Sequence, residues 1–335
     1  MPKKPILTFV LGILNAELTF RECLDSIFMQ QFPKEDYEVI IIDGGSTDKT
    51  LDIIKEYQKK QKNIKLMNNP NKLSEGKGMS KDIGIKEAKG KYVALLDHDN
   101  IIENKDWIKD MIFSLEQSDK IMASQSLLSF RHSDTNFLKY VNAIGVEDPF
   151  AIPYSLVAQV SLYPDKFQLI EGRYYIHQLD PKNVLFGGAN GCIFRKSVFN
   201  IIGGYTRDVD VFACMANYKM KVAISKNSRI YHKTSPELSR HLKKKGLYFY
   251  RFINNDYSWK KFNWVKPGIR NKAGFFLMVA YNLSLILPSL FALKKVKETS
   301  QGFWIIHPFY LFFITWEYAF ITLFKFSNFL KYSSC

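Results

Sequence analysis

Lys91-Tyr92-Val93-Ala94-Leu95-Leu96-Asp97-His98-Asp99 is an apolar run that ends in two carboxylates one residue apart. Apolar residues without alternation suit a strand buried on both faces, as in a parallel sheet. Tyr37-Glu38-Val39-Ile40-Ile41-Ile42-Asp43 reads as a second strand that also ends in a carboxylate. Residues 6–14 and 64–67 read as two more strands. Helices are predicted at 18–31, from Thr47 or Asp48 to 61, at 80–88 and at 107–117. Strand and helix in alternation predict an α/β fold with a doubly wound, mostly parallel (mixed) sheet flanked by helices. Such sheets bind ligands beyond the carboxyl ends of their strands, which puts Asp43 and Asp97 on one rim.

Further along, 121–130 reads as a strand, 183–194 as strand, turn and strand, 211–216 as a helix and 221–224 as a strand. Residues 131–180 hold scattered aromatics and three prolines, and read as irregular chain of the kind that forms binding loops.

A chain of 335 residues suits one large α/β domain with an appendage. Its 47% hydrophobic and 15% aromatic content excludes a disordered protein. The net charge of +15 predicts an anionic partner. Residues 226–272 carry 13 Lys and Arg against two Asp and Glu, interleaved with Tyr, Phe and Trp, as at a membrane interface. Within it, Ser239 to Gly246 reads as a basic interfacial helix. Residues 273–293 carry no charge and are about long enough to cross a bilayer, and 302–324 form a second candidate interrupted by His307 and Glu317. Lys294, Lys295 and Lys297 between them oppose a simple double crossing, so the pair is expected to be transmembrane or re-entrant. The expected organisation is a catalytic domain at 1–232, a basic aromatic interfacial segment at 233–272, and membrane-associated helices at 273–335. The basic residues lie beside apolar segments rather than on a recognition motif, so no nucleic-acid partner is expected. Four cysteines lie far apart with no Cys-x-x-Cys pair, which favours a reducing compartment.

Asp97 and Asp99 at a strand end are placed to share a divalent cation, Mg²⁺ or Mn²⁺, that keeps positions open for phosphate oxygens. By side-chain alternation, His98 points away from that ion.

Asn15, Ile41-Ile-Asp-Gly-Gly-Ser-Thr-Asp48, Gly76-Lys-Gly78, Gly84, Ala88-Lys-Gly90 and Leu95-Leu-Asp-His-Asp99 occur in an order that resembles the family 2 glycosyltransferases of GT-A fold. Phe186-Gly-Gly-Ala-Asn-Gly191 and Ile202-Gly-Gly-Tyr205 resemble the acceptor-side segment of that family, and the likeness covers about 5–232. It implies a nucleotide-diphospho-sugar donor, a divalent metal and inversion at the anomeric carbon. It also implies donor contacts from Asn15, Glu17, Asp43, Gly45, Lys77, Asp82 and Asp97. Metal ligands would be Asp97 and Asp99, with His232 as a further candidate, and Gly188, Asn190 and Gly191 would lie on the acceptor side. Asp82 departs from the Asn common in the family.

An inverting transfer needs a general base on the acceptor hydroxyl. The resemblance implies the Asp of a Glu-Asp pair. Here the sequence is Arg207-Asp208-Val209-Asp210, without the Glu, and Asp208 fits best, with Asp210 as the alternative. The expected function is sugar transfer to a membrane-bound, lipid-linked glycan, by an enzyme on the cytoplasmic membrane face. Two rivals are transfer to a polyprenyl phosphate and a non-catalytic membrane protein that binds nucleotide sugars.

Overall fold

The computed structural model describes residues 3–69, 71–72, 76–181, 188–253 and 269–332. The chain divides into two compact units. One comprises Met1–Ser129 with Pro153–Lys233, the other Phe130–Ile152 with Thr234–Cys335.

The first unit is a mixed sheet of ten described strands: β1 (Leu7–Ile13), β2 (Tyr37–Asp43), β3 (Ile64–Asn68), β4 (Tyr92–Leu95), β5 (Asn100–Ile102), β6 (Ile121–Ser129), β7 (Leu169–Ile170), β8 (Tyr174–Gln178), β9 (Cys192–Arg195) and β10 (Lys221–His232). Their order is β3-β2-β1-β4-β9-β6-β10-β8-β7, with β5 paired to β10. The β1–β2, β2–β3, β1–β4 and β6–β10 pairs are parallel, whereas β9 runs antiparallel to both β4 and β6. After β1 the chain builds outward through β2 and β3, then crosses to the other side of β1 for β4. That reversal opens a crevice at the carboxyl ends, where Ile13 is in register with Asp43.

All seven residues of β1 are buried, as suits a mostly apolar run, and its one polar side chain, Thr8, donates to Glu38 Oε1 at 2.8 Å. Phe9 stacks on Trp107 with ring centroids 6.0 Å apart, and Trp107 donates its indole N–H to Ser126 Oγ at 2.7 Å. The helix Ser80–Glu87 lies so close to the sheet that a Cβ on Gly84 would come within 2.4 Å of Val10.

Residues 131–180 are not irregular. They form the helices Asn136–Ile144 and Leu156–Leu162 as well as β7 and β8. Each helix has a local start signal: Thr135 Oγ1 accepts from Leu138 N at 3.2 Å, and Ser155 Oγ from Ala158 N at 3.4 Å. Gly145, at φ 71°, ends the first of them.

In the second unit, the apolar run at 273–293 is not one straight span. Ala273–Ser284 and Ile286–Thr299 meet at 73°, with Leu285 between them at φ 56°. Among the described residues one helix, Gly302–Phe324, is long and apolar enough to cross a membrane, and the bent pair is a second only if its limbs act together. The basic stretch contains the helix Leu238–Ile253.

Candidate functional site

The site is assembled at the carboxyl ends of β1, β2 and β4. Asp43 closes β2, and its carboxylate accepts from Gly45 N at 2.9 Å, Ser46 N at 3.0 Å and Ser46 Oγ at 2.5 Å. Gly45 can make that turn because its φ of 91° is open to glycine. Asn15, itself left-handed at φ 50°, faces the same turn: its N–H donates to Ser46 Oγ at 2.9 Å and its Oδ1 accepts from Thr47 N at 2.8 Å. Glu17 Oε2 accepts from Lys49 N at 3.0 Å. Asn15, Glu17, Asp43 and Gly45 therefore form one cradle of loop around the ends of β1 and β2.

Beyond β4, Asp97 Oδ1 lies 2.9 Å from Lys81 Nζ, and Asp97 N donates to Asn190 Oδ1 at 2.9 Å. The same lysine reaches Asp208 Oδ1 at 3.1 Å and Oδ2 at 3.2 Å. Tyr205 donates its hydroxyl to Asp208 Oδ1 at 2.6 Å. Lys81 is 1% exposed and joins two carboxylates. Asp97 keeps 33% of its side chain open yet sits deep among protein atoms. Burial pushes its pKa up and Lys81 pulls it down, while the charges of Asp208 and Asp99 add to the rise, so the net shift is upward.

Asp99 faces His232, with Oδ2 3.3 Å from Nε2. Strand pairing causes the meeting: β5 runs antiparallel to the end of β10 with His232 opposite Asn100, and Lys233 N donates to Asp99 O at 2.8 Å. Asp97, Asp99 and His232 do not converge as a three-ligand set. Among the described residues no group of three or more His, Cys, Asp or Glu side chains is placed to hold a metal ion. Asp99 and His232 are an oxygen and a nitrogen donor side by side, which fits an ion that draws its other ligands from phosphate and water. His98 is turned to Thr19, with Nδ1 2.9 Å from Oγ1.

Other expected site residues tie loops. Asp82, 1% exposed, accepts from Gly78 N at 2.8 Å and from Tyr205 N at 3.2 Å, and pairs with Lys86 at 2.7 Å. It links the glycine turn holding the exposed Lys77 to the segment that carries Tyr205 and Asp208. Gly188 O accepts from Gln125 Nε2 at 3.2 Å. Gly191 has φ 73°, and a Cβ there would lie 2.3 Å from Ile230 Cδ1. Phe186 and Gly187 lie outside the described residues. Asp210 is fully buried and bonded to Arg207 at 2.8 and 3.1 Å, so of the two candidate bases Asp208 is the one beside the Asp97 cluster.

Lys81 and Tyr205 were not among the expected site residues. A signal for Lys81 existed. Lys81, Ile85 and Ala88 follow helical i, i+4, i+7 spacing, and all three are buried. A lysine on the buried stripe of a helix calls for carboxylate partners.

The chain is similar to several known proteins. A poly(ribitol-phosphate) beta-glucosyltransferase of Bacillus spizizenii is 35% identical over 137 residues, 41% of this chain and 22% of that protein. A dolichyl N-acetyl-alpha-D-glucosaminyl phosphate 3-beta-D-2,3-diacetamido-2,3-dideoxy-beta-D-glucuronosyltransferase of Methanococcus voltae is 35% identical over 116 residues, 34% of this chain and 35% of that protein. The chain thus aligns with roughly a fifth and a third of these relatives' lengths. Among solved structures, the mannosyltransferase PcManGT from Pyrobaculum calidifontis, in complex with GDP-Man and Mn²⁺, superposes with a TM-score of 0.58 at 13% identity, covering 95% of this chain and 88% of that one. That likeness is one of fold, and it is the GT-A arrangement of mixed sheet and helices. The sequence model described as Glycosyl transferase family 2 matches residues 8–202, from β1 through Asp43, Asp97 and Asn190 to the helix after β9, and by that match over more than half its length the chain belongs to glycosyl transferase family 2.

Proposed function

We propose that this chain is an inverting glycosyltransferase that takes a sugar from a nucleotide-diphospho-sugar and delivers it to a glycan held at a membrane, with a lipid-linked saccharide as acceptor. The observation that carries the reading is the meeting of Asp97 and Asp208 on Lys81 at the carboxyl end of β4, beside the Asp43 cradle. The two enzyme relatives are named for transfer to a poly(ribitol phosphate) and to a dolichyl-phosphate-linked sugar, which supports an acceptor of glycan or lipid-linked type. The apolar helices of the second unit and the buried free thiols of Cys23 and Cys192 support a membrane site facing the reducing cytoplasm.

In this mechanism the Asp43 cradle holds the nucleoside. An acceptor hydroxyl attacks the anomeric carbon as its proton passes to the Asp208 carboxylate. The bond from that carbon to the diphosphate breaks, and its electron pair leaves with the nucleoside diphosphate. Lys81 and Tyr205 fix the Asp208 carboxylate in place for that transfer. A divalent ion at Asp99 and His232 would neutralise charge gathering on the departing diphosphate.

The deciding experiment is a thermal-shift panel of UDP, GDP and their sugars on the full chain, with and without Mn²⁺. The reading expects at least one nucleotide to stabilise the protein more strongly with metal. Indifference to every nucleotide would count against donor binding and the mechanism built on it.

A further inference from the structure

The helix Gly302–Phe324 is built inside out. Its exposed stripe runs Ile305, Phe309, Phe313, Trp316, Phe320 and Leu323, each between 47% and 66% exposed. Steps of three and four residues keep them on one face of the helix, about 27 Å long at 1.5 Å per residue. Thr322 is the one polar residue among the exposed positions from 305 to 324, and its hydroxyl is satisfied by Tyr318 O at 2.8 Å. Polar side chains lie instead on the covered face, where His307, Tyr310 and Thr315 are buried and Tyr318 donates to Asp148 Oδ2 at 2.5 Å. A helix at a water-exposed surface shows the opposite arrangement, and an apolar row this long marks an interaction surface.

What covers the polar face limits how deep the helix can lie. The helix Leu238–Ile253 runs along it. His241 Nε2 is 3.1 Å from the Tyr310 hydroxyl, Phe249 stacks on Tyr318 at 4.2 Å, and a Cβ on Gly246 would meet Glu317 at 2.4 Å. That covering helix exposes Arg240 and Lys243. If Gly302–Phe324 crossed a bilayer, its charged neighbour would be carried into hydrocarbon with it. The bent pair points the same way. Its limbs, Ala273–Ser284 and Ile286–Thr299, meet at 73°, and each is about 18–21 Å long, short of a hydrocarbon core of about 30 Å. Phe276, Leu277, Ile286, Leu287, Leu290 and Leu293 are exposed on it, and Lys294 and Lys297 are exposed just beyond.

We infer that the second unit enters one leaflet of an anionic membrane without crossing it. The Phe309–Phe313–Trp316–Phe320 row and the bent pair reach the acyl boundary, and Arg240, Lys243, Lys294 and Lys297 meet lipid phosphates. The basic link then stays on the side where the chain entered, which removes its conflict with the charge bias of membrane loops. This inference rests on the membrane reading of the proposed function and specifies its geometry.

The test adds full-length protein to preformed vesicles of phosphatidylcholine and phosphatidylglycerol and separates bound protein by flotation. The wild type is expected to float, and a Phe313→Ser, Trp316→Ser, Phe320→Ser variant to lose about tenfold or more of its bound fraction. Those residues are exposed, so the variant should keep the wild-type melting temperature. A Lys297→Cys variant and a cysteine-bearing C-terminal tag are then treated with a membrane-impermeant maleimide on intact vesicles. Both should react at once. Protection until detergent opens the vesicles would mean a crossing and overturn the inference while leaving the membrane reading intact. Flotation by the triple-serine variant at the wild-type level would overturn it as well. No flotation of the wild type, with dimers in solution burying the row instead, would overturn both.

Discussion

Lys81 Nζ lies 2.9 Å from Asp97 Oδ1 at the end of a side chain that is 1% exposed, and the same ammonium holds Asp208 at 3.1 Å. One buried cation thus joins a carboxylate on the expected donor side to the carboxylate expected to meet the acceptor.

Replacing Lys81 by Met should leave Asp97 and Asp208 without their shared counter-charge. Removing one partner of a buried ion pair costs about 3–5 kcal/mol, and the partial exposure of Asp97 puts this case at the lower end. Denaturant unfolding should show that loss. Turnover should fall further than stability explains, and Lys81→Arg should recover part of both.

Asp208→Asn keeps the shape of the side chain and removes its basicity. Turnover is expected to drop about 10²–10⁴-fold with little change in donor KM. A variant with near-full turnover would point to an acceptor that is already an anion, such as a polyprenyl phosphate.

Asp99→Ala and His232→Ala should each weaken the Mn²⁺-dependent part of nucleotide stabilisation and spare the metal-independent part, because the two side chains face each other at 3.3 Å. Thermal shift with and without Mn²⁺ measures both. An unchanged metal response in both variants would remove this pair from the metal's surroundings.

His241 predicts a pH effect in the second unit. Burial pushes its pKa from 6.5 down to about 4, against the opposing pull of Glu147, while Lys245 and Lys244 lower it further. The imidazole is therefore neutral in the fold over a range where the unfolded chain binds a proton. Its contribution to stability is complete above pH 6.5 and is lost as the pH falls from about 6.5 to 4. Melting curves in detergent across that range should steepen this decline in the wild type relative to His241→Gln.

Gly191→Ala should destabilise the first unit by about 2–4 kcal/mol, combining a left-handed backbone at φ 73° with a Cβ 2.3 Å from Ile230. A paired Ile230→Val change should restore only the steric share.

Much was legible from sequence because it depends on local pattern. Tyr37–Asp43 is buried throughout except for Glu38, as its near-continuous apolar run requires, and it ends on the expected carboxylate. The rim position of Asp43 and Asp97 follows from where their strands stop. The helices within 131–180 could have been found as well, since Thr135 and Ser155 are ordinary helix caps with apolar spacing behind them.

Sequence by itself therefore determined the α/β sheet, the carboxylates at its rim, and the apolar character of the C-terminal helices. Tertiary structure alone decided which of those groups meet. Asp97 faces Lys81 because the buried stripe of Ser80–Glu87 is pressed onto β1, and Asp99 faces His232 because β5 pairs antiparallel with the end of β10. Local periodicity fixes where a side chain points from its own element, whereas contact between distant elements depends on sheet order and register. The bend at Leu285 belongs to the same class: composition records an apolar run, and only the folded backbone shows that it turns through 73°.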